Sequence, residues 1–217
     1  MLEILDTLEK KVNPSHSAIL IVDIQNDFCA KDGAFDKVGL NVEMAQEMVP
    51  RLIEFVARAR KAGYFVVFVR NNYNSSNNSF LSDVWLEQAK RARRGLYTKI
   101  PMCVPGSWGA DFYKIKPESG EPIVTKHRFD AFEGTDLDLI LRARNVRTLI
   151  FTGFATNVCV ETTARHGFVK DYYIVVLDDM VASDSKKLHE AALENLRTYF
   201  GEVVDSSKIE GLFALRK

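Results

Sequence analysis

Short, nearly uninterrupted apolar runs recur along the chain at residues 18–22, 65–69, 123–125, 149–152 and 174–177, and Val203 and Val204 close a sixth. Runs of this length without polar alternation predict strands covered on both faces, the pattern of a parallel sheet. Longer stretches with a different period lie between them. Over residues 42–62, Met44, Met48, Leu52, Phe55 and Val56 fall on one side of a helix, and Gly63 stands where a left-handed C-cap is needed. Residues 137–143, 158–169 and 187–199 repeat the helical spacing. Strand then helix, repeated, predicts an α/β fold: three α/β/α layers, doubly wound around a mostly parallel six-stranded sheet. A length of 217 residues suits one such domain spanning 1–217, with its core at about 17–205.

Residues 71–120 break the rhythm. They are rich in Asn, Ser and Gly and predict long loops with one helix, whose basic segment at 90–94 reads as a solvated face. The 29 basic and 29 acidic residues balance, so no net field recommends nucleic acid or an anionic membrane as partner, and a small molecule is the expected one. Residues 1–16 lack the continuous apolar stretch of a signal peptide, and no later run is long enough to span a bilayer. Three cysteines, Cys29, Cys103 and Cys159, form no CxxC pair, which predicts neither a disulfide framework nor a thiolate zinc site and fits a reducing, cytoplasmic setting.

In open α/β sheets ligands bind beyond the carboxyl ends of the strands. The polar residues that directly follow apolar runs are Asp23 and Gln25, Asn71 and Asn72, Lys126, and the segment 153–159. Cys159 falls in what reads as the first turn of a helix capped by Asn157, where unpaired N–H groups and the helix dipole would favour a thiolate and could hold an oxyanion. A small buried hydrophobe is the bland alternative. Asp23 after a buried strand needs a cation, a hydrogen-bond cage or a catalytic task, and Lys126 is the matching cation. Carboxylate, ammonium and thiol together make a workable nucleophilic set; a purely structural ion pair is the alternative. Phe28, Tyr73, Trp108, Phe129 and Phe132 lie near strand ends and are candidates for a pocket lining. His189-Glu190 begins an HExxH pattern, but Leu193 holds the fifth position, and GxSxG, P-loop and GxGxxG motifs are absent. The four histidines show no ligand spacing, so neither metal nor cofactor is expected.

Four segments carry a resemblance. AILIVDIQNDF (18–28), GSWGA (106–110), VTKHRFDAFEGTDL (124–137) and FTGFATNVCVETTAR (151–165) resemble, in order, the blocks of isochorismatase-like cysteine hydrolases. The resemblance implies that family's Rossmann-like topology and a catalytic set of Asp23 as general base, Lys126 as its partner and Cys159 as nucleophile. It further implies a cis peptide between Phe154 and Ala155, an oxyanion hole from the N–H groups of Ala155 and Cys159, and a homo-oligomer, dimer or tetramer. The stretch around Cys159 is most similar to ureidoacrylate, biuret and N-carbamoyl amidohydrolases, which makes a small amide, carbamoyl compound or ureide the expected substrate, cut through a thioester. Gln25, Phe28, Asn71, Tyr73, Trp108, Phe129 and Phe154 are the implied substrate-facing residues, with Phe129 where a tyrosine is expected. The stretch RNNYNSSNN at 70–78 contains no histidine, unlike the metal-binding segment of nicotinamidases, and Cys159 sets the chain apart from isochorismatases that cleave vinyl ethers. A nicotinamidase-like aromatic amide hydrolase and a non-catalytic scaffold are the alternatives.

Overall fold

A computed structural model describes residues 3–74, 77–92 and 94–213, so Ser75, Ser76 and Arg93 of the two segments singled out above lie outside it. Six strands form one sheet: β1 (Ser17–Val22), β2 (Phe65–Asn71), β3 (Ile123–Lys126), β4 (Thr148–Phe154), β5 (Tyr173–Ala182) and β6 (Gly201–Val204). Their order is β3-β2-β1-β4-β5-β6 and every pairing is parallel. The expected six-stranded α/β architecture is therefore present, and β1 sits at its centre.

Helices follow in chain order: α1 (Leu8–Lys11), α2 (Asn26–Cys29), α3 (Ala34–Lys37), α4 (Glu43–Lys61), α5 (Asp83–Ala92), α6 (Leu137–Arg142), α7 (Glu161–Val169), α8 (Lys186–Tyr199) and α9 (Ser207–Phe213). Because successive side chains of a strand point to opposite faces, one apolar run feeds two cores. Ile19, Ile21, Val66, Phe68 and Ile150 pack with Met48, Leu52, Phe55 and Val56 of α4. Ala18, Leu20, Val22, Val67 and Leu149 pack with Leu137 and Leu141 of α6, Ala164 of α7 and Leu196 of α8. This double burial is what removes polar alternation from the strands.

The irregular region holds α5, and Lys90 and Arg91 on it are exposed, Arg91 pairing with Glu87 one turn earlier. β5 runs well past the apolar run that predicted it, through Asp178 and Asp179 to Ala182, with a register shift against β4 between Phe151 and Gly153. Among the described residues no helix is long and apolar enough to cross a membrane.

Candidate active site

β1 is flanked by β2 and β4, and the chain at its end turns sharply. Asp23 adopts a left-handed conformation (φ +52°), one that aspartate tolerates better than most residues, while its N–H donates to the Val69 carbonyl at 2.9 Å. The Asp23 carboxylate is fully buried. Its Oδ2 accepts from Lys126 Nζ at 2.8 Å and from Asn71 Nδ2 at 2.7 Å. The register explains this convergence: Asn71 and Lys126 are paired residues at the ends of β2 and β3. Lys126, also fully buried, gives a second proton to the Arg128 carbonyl at 3.0 Å. Oδ1 of Asp23 makes no hydrogen bond of regular geometry.

The third group arrives from β4. Gly153 lies beside Val22 (φ +112°), and a Cβ there would sit 2.1 Å from the Val22 carbonyl oxygen, so only glycine lets the two strands approach. The Phe154–Ala155 peptide is cis. Thr156–Val160 then forms a π-helical turn that leads into α7 and carries Cys159. The Cys159 carbonyl accepts from Thr163 Oγ1 at 2.7 Å, Thr163 Oγ1 in turn accepts from the Ala131 N–H at 3.0 Å, and Thr156 Oγ1 is hydrogen-bonded to His189 Nδ1 at 2.8 Å. The side chain of Asn157 does not cap the helix as expected; its Oδ1 accepts from Ser183 Oγ at 2.6 Å, a partner supplied by the end of β5.

Charge is arranged tightly here. The Cys159 thiol interacts with both the Asp23 carboxylate and the Lys126 ammonium. Burial, with help from the Asp23 charge, pushes the thiol up to about 12 against the opposing pull of Lys126. Burial thus opposes the thiolate that the helix start was expected to favour. Burial also raises Asp23 above the usual carboxylate range, partly offset by Lys126 and Asn71. Lys126 stands above its ordinary value, because the attraction of Asp23 and Cys159 outweighs the cost of burial.

Beside Cys159 lies a narrow cavity bounded by Phe28, Phe35, Tyr73, Tyr97, Phe129, Phe154, Ala155 and Val158. Phe28, Phe35 and Phe154 form one ring cluster with centroids 5.2 to 6.0 Å apart. Tyr73 and Tyr97 meet edge to face at 4.8 Å. Trp85 backs this wall, 4.5 Å from Phe129 and 5.8 Å from Tyr73.

The structure therefore brings Asp23, Lys126 and Cys159 together with Asn71, and places Phe28, Tyr73, Phe129, Phe154 and Ala155 around the cavity. Three sequence candidates stand elsewhere, one of them Phe132, which is buried in the second core against His166 and Tyr172. Gln25 is buried, its amide clamped to both backbone groups of Asn71 (2.7 and 3.1 Å) and to the Ala110 carbonyl (2.9 Å). Trp108 is 54% exposed, outside the lining, and its carbonyl accepts from Asn26 Nδ2 at 2.7 Å. Phe35, Tyr97 and Val158 were not among the sequence candidates. Asp178, Asp179 and Asp205 form the only acidic or histidine-containing cluster with metal-ligand spacing among the described residues, and Asp179 is already bonded to the N–H and hydroxyl of Ser206.

The parallel sheet gathers Asp23 and Lys126 at its carboxyl end beside Cys159, and comparison with known proteins sets this fold among hydrolases. The isochorismatase domain model matches residues 17–208, and the chain belongs to that family. It is 35% identical over 210 residues to the ureidoacrylate amidohydrolase RutB of Methylobacterium radiotolerans, covering 92% of this chain and 80% of that protein. Among solved structures, a cysteine hydrolase from Pseudomonas syringae pv. phaseolicola 1448A superimposes with a TM-score of 0.80 at 25% identity, over the full length of both chains. Nicotinamidase PncA from Bacillus subtilis gives 0.70 at 28% identity, over 88% of this chain and 99% of that one. The protein is a hydrolase of this family.

Proposed function

We propose that the protein hydrolyses the C–N bond of a small amide, carbamoyl or ureido compound through a thioester on Cys159. The observation that carries the reading is a buried thiol in contact with a buried carboxylate, one of whose oxygens, Asp23 Oδ1, lacks a regular hydrogen bond and is available to accept a proton. A thiol that stays protonated needs a base at the moment of attack, and a carboxylate raised by burial is suited to shuttle that proton both ways.

Asp23 takes the thiol proton as Sγ bonds to the carbonyl carbon, and the C=O pair moves onto oxygen. The N–H groups of Ala155 and Cys159 receive that oxyanion. The tetrahedral centre collapses, the C–N bond breaks, and protonated Asp23 gives its proton to the departing nitrogen. Water, deprotonated by Asp23, then adds to the thioester; the C–S bond breaks and the thiol regains its proton. Lys126 holds Oδ2 and supplies positive charge while the anions form, and Asn71 orients the carboxylate.

The relatives with an amidohydrolase or nicotinamidase name support cleavage of an amide-type bond. The test is ammonia release from ureidoacrylate, biuret and simple amides. Wild type releases ammonia from at least one; Cys159→Ala does not, and hydroxylamine intercepts the acyl-enzyme. Equal release by wild type and Cys159→Ala on every substrate refutes the reading. The aromatic lining supports a second reading, hydrolysis of an aromatic amide such as nicotinamide; turnover of nicotinamide that EDTA abolishes would favour a metal-assisted route over the cysteine-only one.

A further inference from the structure

The lining of the cavity beside Cys159 is informative for what it lacks. Its nine residues are four phenylalanines, two tyrosines, an alanine, a valine and the cysteine, and none carries a formal charge. The charged groups next to it cancel: Asp23 and Lys126 are paired at 2.8 Å with both side chains fully buried, and Lys126 also donates to the Arg128 carbonyl and interacts with the Cys159 thiol. Arg128 contributes nothing to the lining. Its guanidinium stacks over Trp85, 5.2 Å from the ring centroid, and donates to the carbonyls of Phe80 and His127 at 2.8 and 2.7 Å.

Resting on the reading of Cys159 as nucleophile, we infer that this site selects a compact, uncharged substrate and rejects amides that carry a carboxylate on the acyl side. An anion entering this cavity gives up its water and meets no charged group on the lining, while the buried Asp23–Lys126 pair beside it offers no net charge to offset that loss. A neutral acyl group loses little on desolvation and gains contact with the rings. The closely packed rings of the lining, with centroids 4.8 to 6.0 Å apart, favour a compact acyl group.

Discrimination is measured on matched pairs that share the reacting group: propionamide against succinamate, and benzamide against 4-carbamoylbenzoate. kcat/KM is expected to favour the neutral member by about 100-fold, the size of discrimination a hydrophobic pocket achieves against an added polar group. A preference under tenfold in both pairs, or any preference for the anion, overturns the inference. Binding of the same four compounds to Cys159→Ala, followed by calorimetry, separates the inference from the catalytic reading. Tighter binding of the neutral members without turnover by wild type upholds charge selection and defeats the nucleophile assignment; binding of neither, or equal binding, overturns charge selection. Val158→Arg places a cation on the lining and is expected to narrow the preference at least tenfold by improving the anionic member. Should that variant fail to fold, Phe129→Lys serves the same purpose, and an unchanged preference in the folded variant refutes the electrostatic cause.

Discussion

Replacing Lys126 with Met removes the buried ammonium while keeping the length of the side chain. Asp23 then keeps only neutral partners, the Asn71 amide and the Cys159 thiol, in a fully buried position. An unpartnered buried charge costs about 3–5 kcal/mol, but a carboxylate can limit the loss by keeping its proton. The ceiling follows from linkage. The unfolded chain holds Asp23 near its ordinary value of 3.8, so a native state that keeps the proton loses 1.36 kcal/mol for each pH unit above that. The penalty is therefore capped at about 4 kcal/mol at pH 7 and about 1.6 kcal/mol at pH 5. The sign is that of a raised carboxylate: the variant binds more protons folded than unfolded, so it loses stability as pH rises. At about 2–4 °C per kcal/mol for a chain of this size, Lys126→Met should melt roughly 8–16 °C below wild type at pH 7, and the gap should close by more than half at pH 5. Adding Asp23→Asn removes the stranded charge, so the double variant should recover much of the loss at pH 7 while remaining inactive. Urea or thermal unfolding at the two pH values, with each single variant and the double, is the assay. A penalty independent of pH, or a double variant no more stable than Lys126→Met, would refute a buried, mutually dependent ion pair.

Three further outcomes are expected. Absorbance at 240 nm, wild type minus Cys159→Ser, should show no thiolate step below pH 10, because burial holds the thiol at about 12; a midpoint below pH 8 contradicts the balance of forces described for the site. Gly153→Ala combines a forbidden backbone angle with a Cβ 2.1 Å from a carbonyl oxygen, so it should destabilise by at least about 3 kcal/mol, and a melting temperature within 2 °C of wild type sinks that account. His189 is held below its ordinary 6.5 mainly by burial, with Glu190 and Asp178 opposing, so the folded state prefers it neutral. Its contribution is complete above pH 6.5 and declines as pH falls toward the depressed folded value; His189→Gln should flatten the wild-type loss of stability in that window, and identical slopes for the two proteins would show that another group titrates there.

The sheet was legible because its central strands are buried on both faces, which leaves apolar runs of four or five residues with no alternation. β5 was legible only in part: beyond Leu177 it continues through two aspartates, and its pairing with β4 after the register shift involves Val181 and Ala182, a relation between strands that no local pattern carries. Asp23, Lys126 and Cys159 stood out as polar or nucleophilic groups directly after buried runs, and the parallel topology gathers such positions at one sheet end. Asn157 was misread as a cap because its partner, Ser183, lies 26 residues away. Tyr97 and Phe35 escaped notice for a related reason, since they reach the cavity from an irregular loop and a single-turn helix. Gln25 follows β1 as closely as Asp23 does, and only the structure shows its amide serving the backbone of Asn71 rather than the cavity.

The strand order has a consequence for how the protein acquires activity. Asp23 and Cys159 come from neighbouring strands, but Lys126 reaches them from β3, four residues long, at the sheet edge and separated from β1 by β2. More than a hundred residues of chain lie between Asp23 and Lys126, so their meeting requires closing a long loop onto a sheet that already exists. On the proposed roles of Asp23, Lys126 and Cys159, recovery of catalysis during refolding would report the docking of that short edge strand, and it should lag behind the burial of the β1, β2 and β4 core.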